Sequence, residues 1–276
     1  MNITVVLPYH SGDSNLAKQL LEWIYDLSQL QGWVEKRYNS ILLVGDASVA
    51  PEIRAEIKQL ALKCFVHVEA IRVNTVNQGW PSGANEMWKF ASKYIQDNYR
   101  NPWLWLEPDA VPLKHTWLDQ LSREYIGSPK LCLGHVEESS QEGLPAKHLA
   151  GVAIYPQNAH SLFAGTIQDN AAFDISNASA VIPRTTATHL IQHYWGMFGL
   201  APTFVSERTE ESPKNAFTLA NLRNDAVLFH RCKDGTLIPL LKAQTQPKTT
   251  PLPSAGETVT TIKRKPGRPK KVPESV

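Results

Sequence analysis

The sequence predicts an α/β protein, a mostly parallel sheet flanked by helices and followed by a disordered basic tail. Three observations carry this expectation. Short β-rich runs alternate with stretches whose apolar residues recur at helical spacing. The connections are long enough for right-handed helical crossovers between parallel strands. From about Ala243 onward the chain is rich in Pro, Thr and Lys and poor in large apolar residues, a composition that cannot bury a core.

The elements follow in order. Residues 3–7 (ITVVL) form a short β-rich run. Asp13 or Ser14 is placed to cap a helix in which Leu16, Leu20, Ile24 and Leu27 share a face. Residues 41–45 (ILLVG) read as a second strand. Pro51 suits the first turn of a second helix, with Ile53, Ile57 and Leu60 inward. Residues 66–73 read as a third strand. Ser82 is placed to cap a helix carrying Ala84, Met87, Trp88, Ala91 and Ile95. A strand at 103–106 precedes a helix from Thr116 with Trp117, Leu121 and Tyr125 inward. The second half is less regular: 149–156 and 224–230 read as strands and 185–193 as a short helix.

A chain of 276 residues with 42% hydrophobic content can bury a sizeable core. No run approaches the roughly 18 apolar residues of a membrane span. The opening MNITVVLPYHSGD lacks the basic head and cleavage site of a signal peptide. Cys64, Cys132 and Cys232 show no metal-ligand spacing and read as buried thiols in a reducing compartment. These features set the expectation of a cytoplasmic protein with no membrane partner. The net charge of +2 hides an asymmetry, because eight lysines and arginines from Lys242 onward oppose only Glu257 and Glu274. A basic tail on a mildly acidic body points to a polyanionic partner.

In an open parallel sheet, ligands bind beyond the carboxyl ends of the strands. Here the first strand ends in Pro8-Tyr9-His10, the second in Asp46, the third near Asn74 and Asn77, and the fourth in Glu107-Pro108-Asp109. Taken in order, VVLPYH (5–10), LLVGDAS (42–48), NQGWPSGANE (77–86), WLEPDAVP (105–112) and LFHRCKDG (228–235) resemble the GT-A nucleotide-sugar glycosyltransferases. The resemblance spans most of residues 1–240 and implies a Rossmann-like GT-A fold with a nucleotide-sugar donor. It implies that Pro8, Tyr9 and His10 line the nucleotide pocket, and it sets Asn77 and Asn85 on the donor side. Asp46 would accept the uracil N3–H of a UDP-sugar, work suited to an acceptor-only carboxylate.

Glu107-Pro108-Asp109 answers to the Asp-x-Asp motif of that family, with Glu in the first place. Two carboxylates there suit a hard divalent cation, Mn²⁺ or Mg²⁺, that neutralises a diphosphate. Pro108 is expected to keep Glu107 extended and fix the relation of the two acids. Asp109 is the better candidate for direct ligand. By the same resemblance His230 supplies a further ligand, an imidazole suited to Mn²⁺. Lys233 stands three residues on, where it can meet the leaving phosphate. An attacking hydroxyl also needs a base. The candidates are Asp169 and Asp174, with Asp174 preferred because its apolar neighbours desolvate it. His189 and His193 share the i,i+4 spacing of one helical face and read as acceptor-side or structural residues. The QxxRW element of processive polysaccharide synthases is missing.

In the tail, KRKPGRPKK (263–271) resembles the AT-hook, a short element that binds double-stranded DNA. Prolines hold it extended, Gly267 clears the groove floor, and Arg268 fits the narrow minor groove of A·T-rich DNA. Lys263, Arg264, Lys265, Lys270 and Lys271 would neutralise phosphates. The expected organisation is a transferase domain at 1–242, a linker at 243–262 and a DNA-binding tail at 263–276. Together the two resemblances imply a bacteriophage enzyme, working in the host cytoplasm, that glycosylates hydroxymethylated pyrimidines in DNA. Trp80 and Trp195 are candidates to stack on such a base. Three alternatives stay open on sequence: a protein or surface-glycan acceptor, a non-catalytic DNA-binding protein on a degenerate transferase fold, and a nucleotidyltransferase. The last lacks its usual glycine-rich N-terminal phosphate loop.

Overall fold

The computed structural model describes residues 2–30, 38–75, 79–140, 144–194 and 200–245. The compact unit runs Met1–Thr245, its last helix carrying it past the boundary expected at 242. Asn77, Trp195 and the whole 263–276 motif lie outside the described residues.

The first half follows the sequence pattern closely. Strand β1 (Thr4–Tyr9) leads to helix α1 (Ser14–Gln29), then β2 (Tyr38–Asp46), α2 (Pro51–Cys64), β3 (Phe65–Val73) and α3 (Ser82–Asn98). Pro51 opens α2 in its first turn, where a missing N–H costs nothing. Asp13 holds the N-cap position of α1 and Pro81 that of α3, neither with a side-chain cap bond, so Ser82 is a helix residue rather than a cap. Strand β4 (Trp103–Trp105), β5 (Ala110–Pro112) and α4 (Trp117–Gly127) come next, followed by β6 (Cys132–Glu138) and β7 (Lys147–Tyr155). Short helices α5 (Ala159–Phe163), α6 (Phe173–Ser176) and α7 (Ala178–Val181) lead into β8 (Thr185–Ala187) and β9 (Ile191–His193). Strands β10 (Thr203–Phe204), β11 (Ala216–Phe217) and β12 (Leu228–His230), then α8 (Leu237–Thr245), complete the unit.

Seven strands form the main sheet in the order β3-β2-β1-β4-β7-β6-β8, and β7 alone runs against the others. One core packs α1, α2 and α4 on one face, around Leu20, Ile24, Ile57, Trp117 and Leu121. The other face is covered by α3 and the short helices, with Trp88, Trp103, Tyr155 and Phe163 at its centre. Burial on both faces explains why the central strands read as continuous apolar runs.

A second sheet, β5-β12-β9, carries the chain's late residues back to the end of β4. Here the structure corrects the helix expected at 185–193. The segment is two strands, β8 and β9, joined through Thr188. Thr185, Thr186 and Thr188 are β-branched and favour the extended form, and Ile191 is buried between the partly exposed Leu190 and Gln192, as strand alternation requires. The strand expected over 224–230 is likewise confined to Leu228–His230.

Candidate functional site

The acids at the end of β4 are set by a tight turn. The Ala110 N–H donates to the Glu107 carbonyl at 2.9 Å, closing a four-residue reversal with Pro108 in its second position, where a fixed φ favours the turn. Glu107 is the first residue of this reversal, which leads from β4 into β5. Trp105 ends β4 two residues before Glu107, and its indole N–H donates to Glu107 Oε1 at 3.3 Å. Asp109, 7% exposed, lies beneath.

Strand β12 delivers the third group. It pairs antiparallel with β5, placing His230 opposite Ala110 and beside Asp109. His230 Nε2 lies 3.2 Å from Glu107 Oε2 and 3.5 Å from Asp109 Oδ1. Burial opposes the charge on His230, but the two carboxylates outweigh it and push its pKa up to about 10. Burial likewise opposes the charge on Asp109, and His230 with Lys233 holds that carboxyl below its usual range. Without a cation, His230 therefore carries the positive charge that the two acids require. After it, Arg231 has φ of 91°, a left-handed conformation costly for a residue with a Cβ. The Cys232 N–H then donates to the Asp109 carbonyl at 3.0 Å, and Lys233 Nζ comes within 4.0 Å of Asp109 Oδ2.

Glu107, Asp109 and His230 can each offer one ligand atom, and these atoms all lie within 4.8 Å of one another. Asp109 Oδ1 is buried and has no hydrogen-bond partner among the described residues, which leaves a lone-pair direction open. Two carboxylates and an imidazole are a donor set for Mn²⁺ or Mg²⁺, with nitrogen favouring Mn²⁺. These residues fit such an ion, and binding it displaces the proton that His230 holds.

Asp174 lies close to the same group. Gly151 on β7 has φ of 72°, and a Cβ there would lie 2.8 Å from Glu107 Oε1 and 3.6 Å from Asp174 Oδ2. The absent side chain is what lets these two acids approach the strand. Burial, reinforced by the Glu107 charge, raises the Asp174 pKa to about 7. Asp169 is different: its side chain is 79% exposed and paired with Lys89 at 3.8 Å on the surface.

The remaining expected residues divide. Asp46 is buried at the end of β2, where burial opposes its charge but Ser48 and Thr75 outweigh that and hold its pKa down at about 2. Its Oδ1 accepts the Ser48 N–H at 2.7 Å and its Oδ2 the Thr75 hydroxyl at 2.8 Å. Pro8 is buried in β1, and the Tyr9 ring lies in the core against Gly45. His10 is exposed, its Nε2 3.3 Å from Asp13 Oδ2. Asn85 is fully buried and donates to the Gln168 and Ala171 carbonyls, which ties down the loop leading to Asp174. Trp80 is 76% exposed in the turn that opens α3. His189 pairs with Asp225 at 3.7 Å on the surface, away from any helical face shared with His193.

Three participants were not read as site residues from sequence, and a fourth, His193, was read only as acceptor-side or structural. Asp13, read as a cap, has its pKa raised to about 6 by burial, with the charges of Asp109 and Glu107 adding to the effect. It belongs to the same cluster. Its position three residues past His10 is a usable signal, since His10 N–H donates to it. Trp105 and Gly151 gave none. His193 Nδ1 lies 3.0 Å from His230 Nδ1, and burial together with the His230 charge keeps it neutral.

Comparison with solved structures places this architecture. An LgtC active-site mutant superposes with a TM-score of 0.50 at 12% identity, covering 88% of this chain and 96% of that one. The fold is that of the GT-A glycosyltransferases. The bifunctional glycosyltransferase WbbM matches 83% of this chain with a TM-score of 0.48 at 12% identity. This chain spans 45% of the WbbM length. A mannosyltransferase from Pyrobaculum calidifontis, solved with GDP-mannose and Mn²⁺, matches 68% of this chain and 54% of its own at a TM-score of 0.44 and 12% identity. No family model and no curated protein matches the chain in sequence. On the GT-A frame, the Glu107–Asp109–His230 group stands at the carboxyl end of a central strand, where open α/β sheets bind ligands. Among the described residues no helix is long and apolar enough to cross a membrane.

Proposed function

We propose that the protein is a metal-dependent glycosyltransferase that moves a sugar from a UDP-sugar to a hydroxymethylated pyrimidine in double-stranded DNA. The observation that carries the transferase reading is the Glu107–Asp109–His230 group at the end of β4, with Asp174 beside it. A divalent cation held there supplies charge neutralisation for the donor diphosphate. The chain's own residues do the rest. Lys233 adds a cation on the Asp109 side, suited to the leaving phosphate. Asp46, kept ionised at the end of β2, suits recognition of a base N–H.

In the transfer, the acceptor hydroxyl oxygen bonds the anomeric carbon as the bond from that carbon to the diphosphate oxygen breaks. The diphosphate leaves with the electron pair, and the hydroxyl proton passes to Asp174. A carboxyl with a pKa of about 7 is matched to that task near neutral pH. Trp80, exposed at the start of α3, is suited to stack on an extruded base. The DNA acceptor is supported by the Pro-Gly-Arg-Pro element within 263–271, which a merely solubilising tail does not need.

The test is to incubate the protein with Mn²⁺, a panel of nucleotide sugars, and duplexes containing hydroxymethylcytosine or hydroxymethyluracil. Nucleoside mass spectrometry should show a hexose or pentose added to the modified base. Sugar added only to a glycan or peptide control would move the acceptor away from DNA. No transfer to any acceptor would remove the enzymatic reading.

A further inference from the structure

We infer that His193 is a positioning residue for the metal site, accepting the Nδ1–H of His230 so that the Nε2 of that ring is left free to face the cation. The inference rests on the metal reading proposed above.

Strands β9 and β12 pair in parallel with His193 directly opposite His230. Residues so paired project to the same sheet face, so both rings come from neighbouring strands to one side. Their Nδ1 atoms stand 3.0 Å apart, and the ring centroids 4.8 Å apart. Two nitrogens at that distance share one proton, so one ring must donate and the other accept. A nitrogen that ligates a cation cannot carry a proton. With Nε2 turned to Glu107 and Asp109, a neutral His230 must therefore hold its proton on Nδ1. His193 Nδ1 is then the acceptor. The reverse arrangement would put the His230 proton on Nε2 and block the site.

The acceptor is itself held in place. His135 on β6 packs its ring against His193, with centroids 5.7 Å apart and planes 29° from parallel. His135 Nε2 in turn meets Glu137 Oε2 at 3.1 Å. Three strands from two sheets thus line up Glu137, His135, His193 and His230 behind the acids. An imidazole in this position orients His230 without adding a negative charge next to Glu107 and Asp109.

The test measures Mn²⁺ affinity by the electron paramagnetic resonance signal of the free ion, using the full-length wild type, Asp109→Asn, and His193→Ala, →Asn and →Gln. An Asn side chain can place its carbonyl oxygen near the position of the lost Nδ1, while Gln overshoots it. Loss of such a supporting acceptor is expected to weaken Mn²⁺ binding about 10–100-fold in the Ala and Gln variants, with Asn staying within about threefold of wild type. Long-range ¹H–¹⁵N spectra of the Mg²⁺-loaded protein should show the Nδ1–H form of His230 in the wild type and the Asn variant, and a mixture in the others. If His193→Ala is unstable, the Asn and Gln pair decides alone. Equal affinity in Asn and Gln, or wild-type affinity in Ala, would overturn the inference. If the wild type binds no Mn²⁺, or Asp109→Asn binds as tightly as wild type, the metal reading itself fails and takes this inference with it.

Discussion

Asp174 concentrates the conflict between stability and activity in a single side chain. Its pKa in the folded protein is about 7, above the ordinary carboxylate value, so the fold holds its proton more tightly than the unfolded chain does. Between the two pKa values the native state binds the extra proton, and stability therefore falls as pH rises through that window. In the metal-free protein, Asp174→Asn should raise the melting temperature relative to wild type most at pH 8, less at pH 5, and change it little only below about pH 4, the unfolded carboxyl's own pKa. The same variant should lose transfer activity by about 10²–10⁴-fold, because the proton acceptor is gone. Wild-type kcat/KM should climb as pH passes through about 7, and a flat profile would contradict the assignment. Gly151 gives a second residue-level expectation. A methyl at that position collides with Glu107 Oε1 and also sits on a backbone of positive φ. Gly151→Ala should thus weaken Mn²⁺ binding in a titration while leaving Asp46 and its Ser48 and Thr75 bonds untouched.

At the scale of elements, the parallel half of the fold was legible because its strands are β-rich runs, broken by polar residues only in the edge strand β3 and at the start of β2. Each helix between them shows a single apolar face. Helix α3 is held by the aromatic cluster that Trp88 makes with Trp103, Tyr155 and Phe173. Trp88→Ala should cost about 3–5 kcal/mol in a denaturant melt, the usual range for emptying such a site. A loss below about 1 kcal/mol would place the cluster outside the core. The second half was poorly legible for a physical reason. Strands β5, β8, β9 and β12 are three residues each, too short to display a period, and their partners lie far along the chain. The spacing of His189 and His193 illustrates the ambiguity. Four residues separate them, which places them on one face of a helix and equally on one face of a strand. Only the pairing of β9 with β12 shows that His193 belongs beside His230.

For the whole molecule, sequence reasoning reached the acid pair and His230 because each closes a β-rich run, and ligands collect at such ends in an open sheet. It did not reach Asp13 or Gly151, whose importance comes from what packs against them. The basic motif at 263–271 is separate from the compact unit Met1–Thr245 in sequence, and it carries six of the chain's lysines and arginines. Removing residues 246–276 should leave the melting temperature and Mn²⁺ affinity of the remaining unit unchanged. Duplex binding measured by fluorescence anisotropy should weaken and lose most of its salt dependence, since counterion release scales with the phosphates neutralised. Unaltered DNA affinity after truncation would shift that partner onto the folded unit.

The most direct measurement is anomalous diffraction at the manganese edge from a crystal soaked with Mn²⁺ and a UDP-sugar. The account predicts one dominant peak at coordination distance from Asp109 and His230, with the donor diphosphate bound to the same ion. A peak elsewhere, with both acids still paired to His230 and no ion between them, would contradict it.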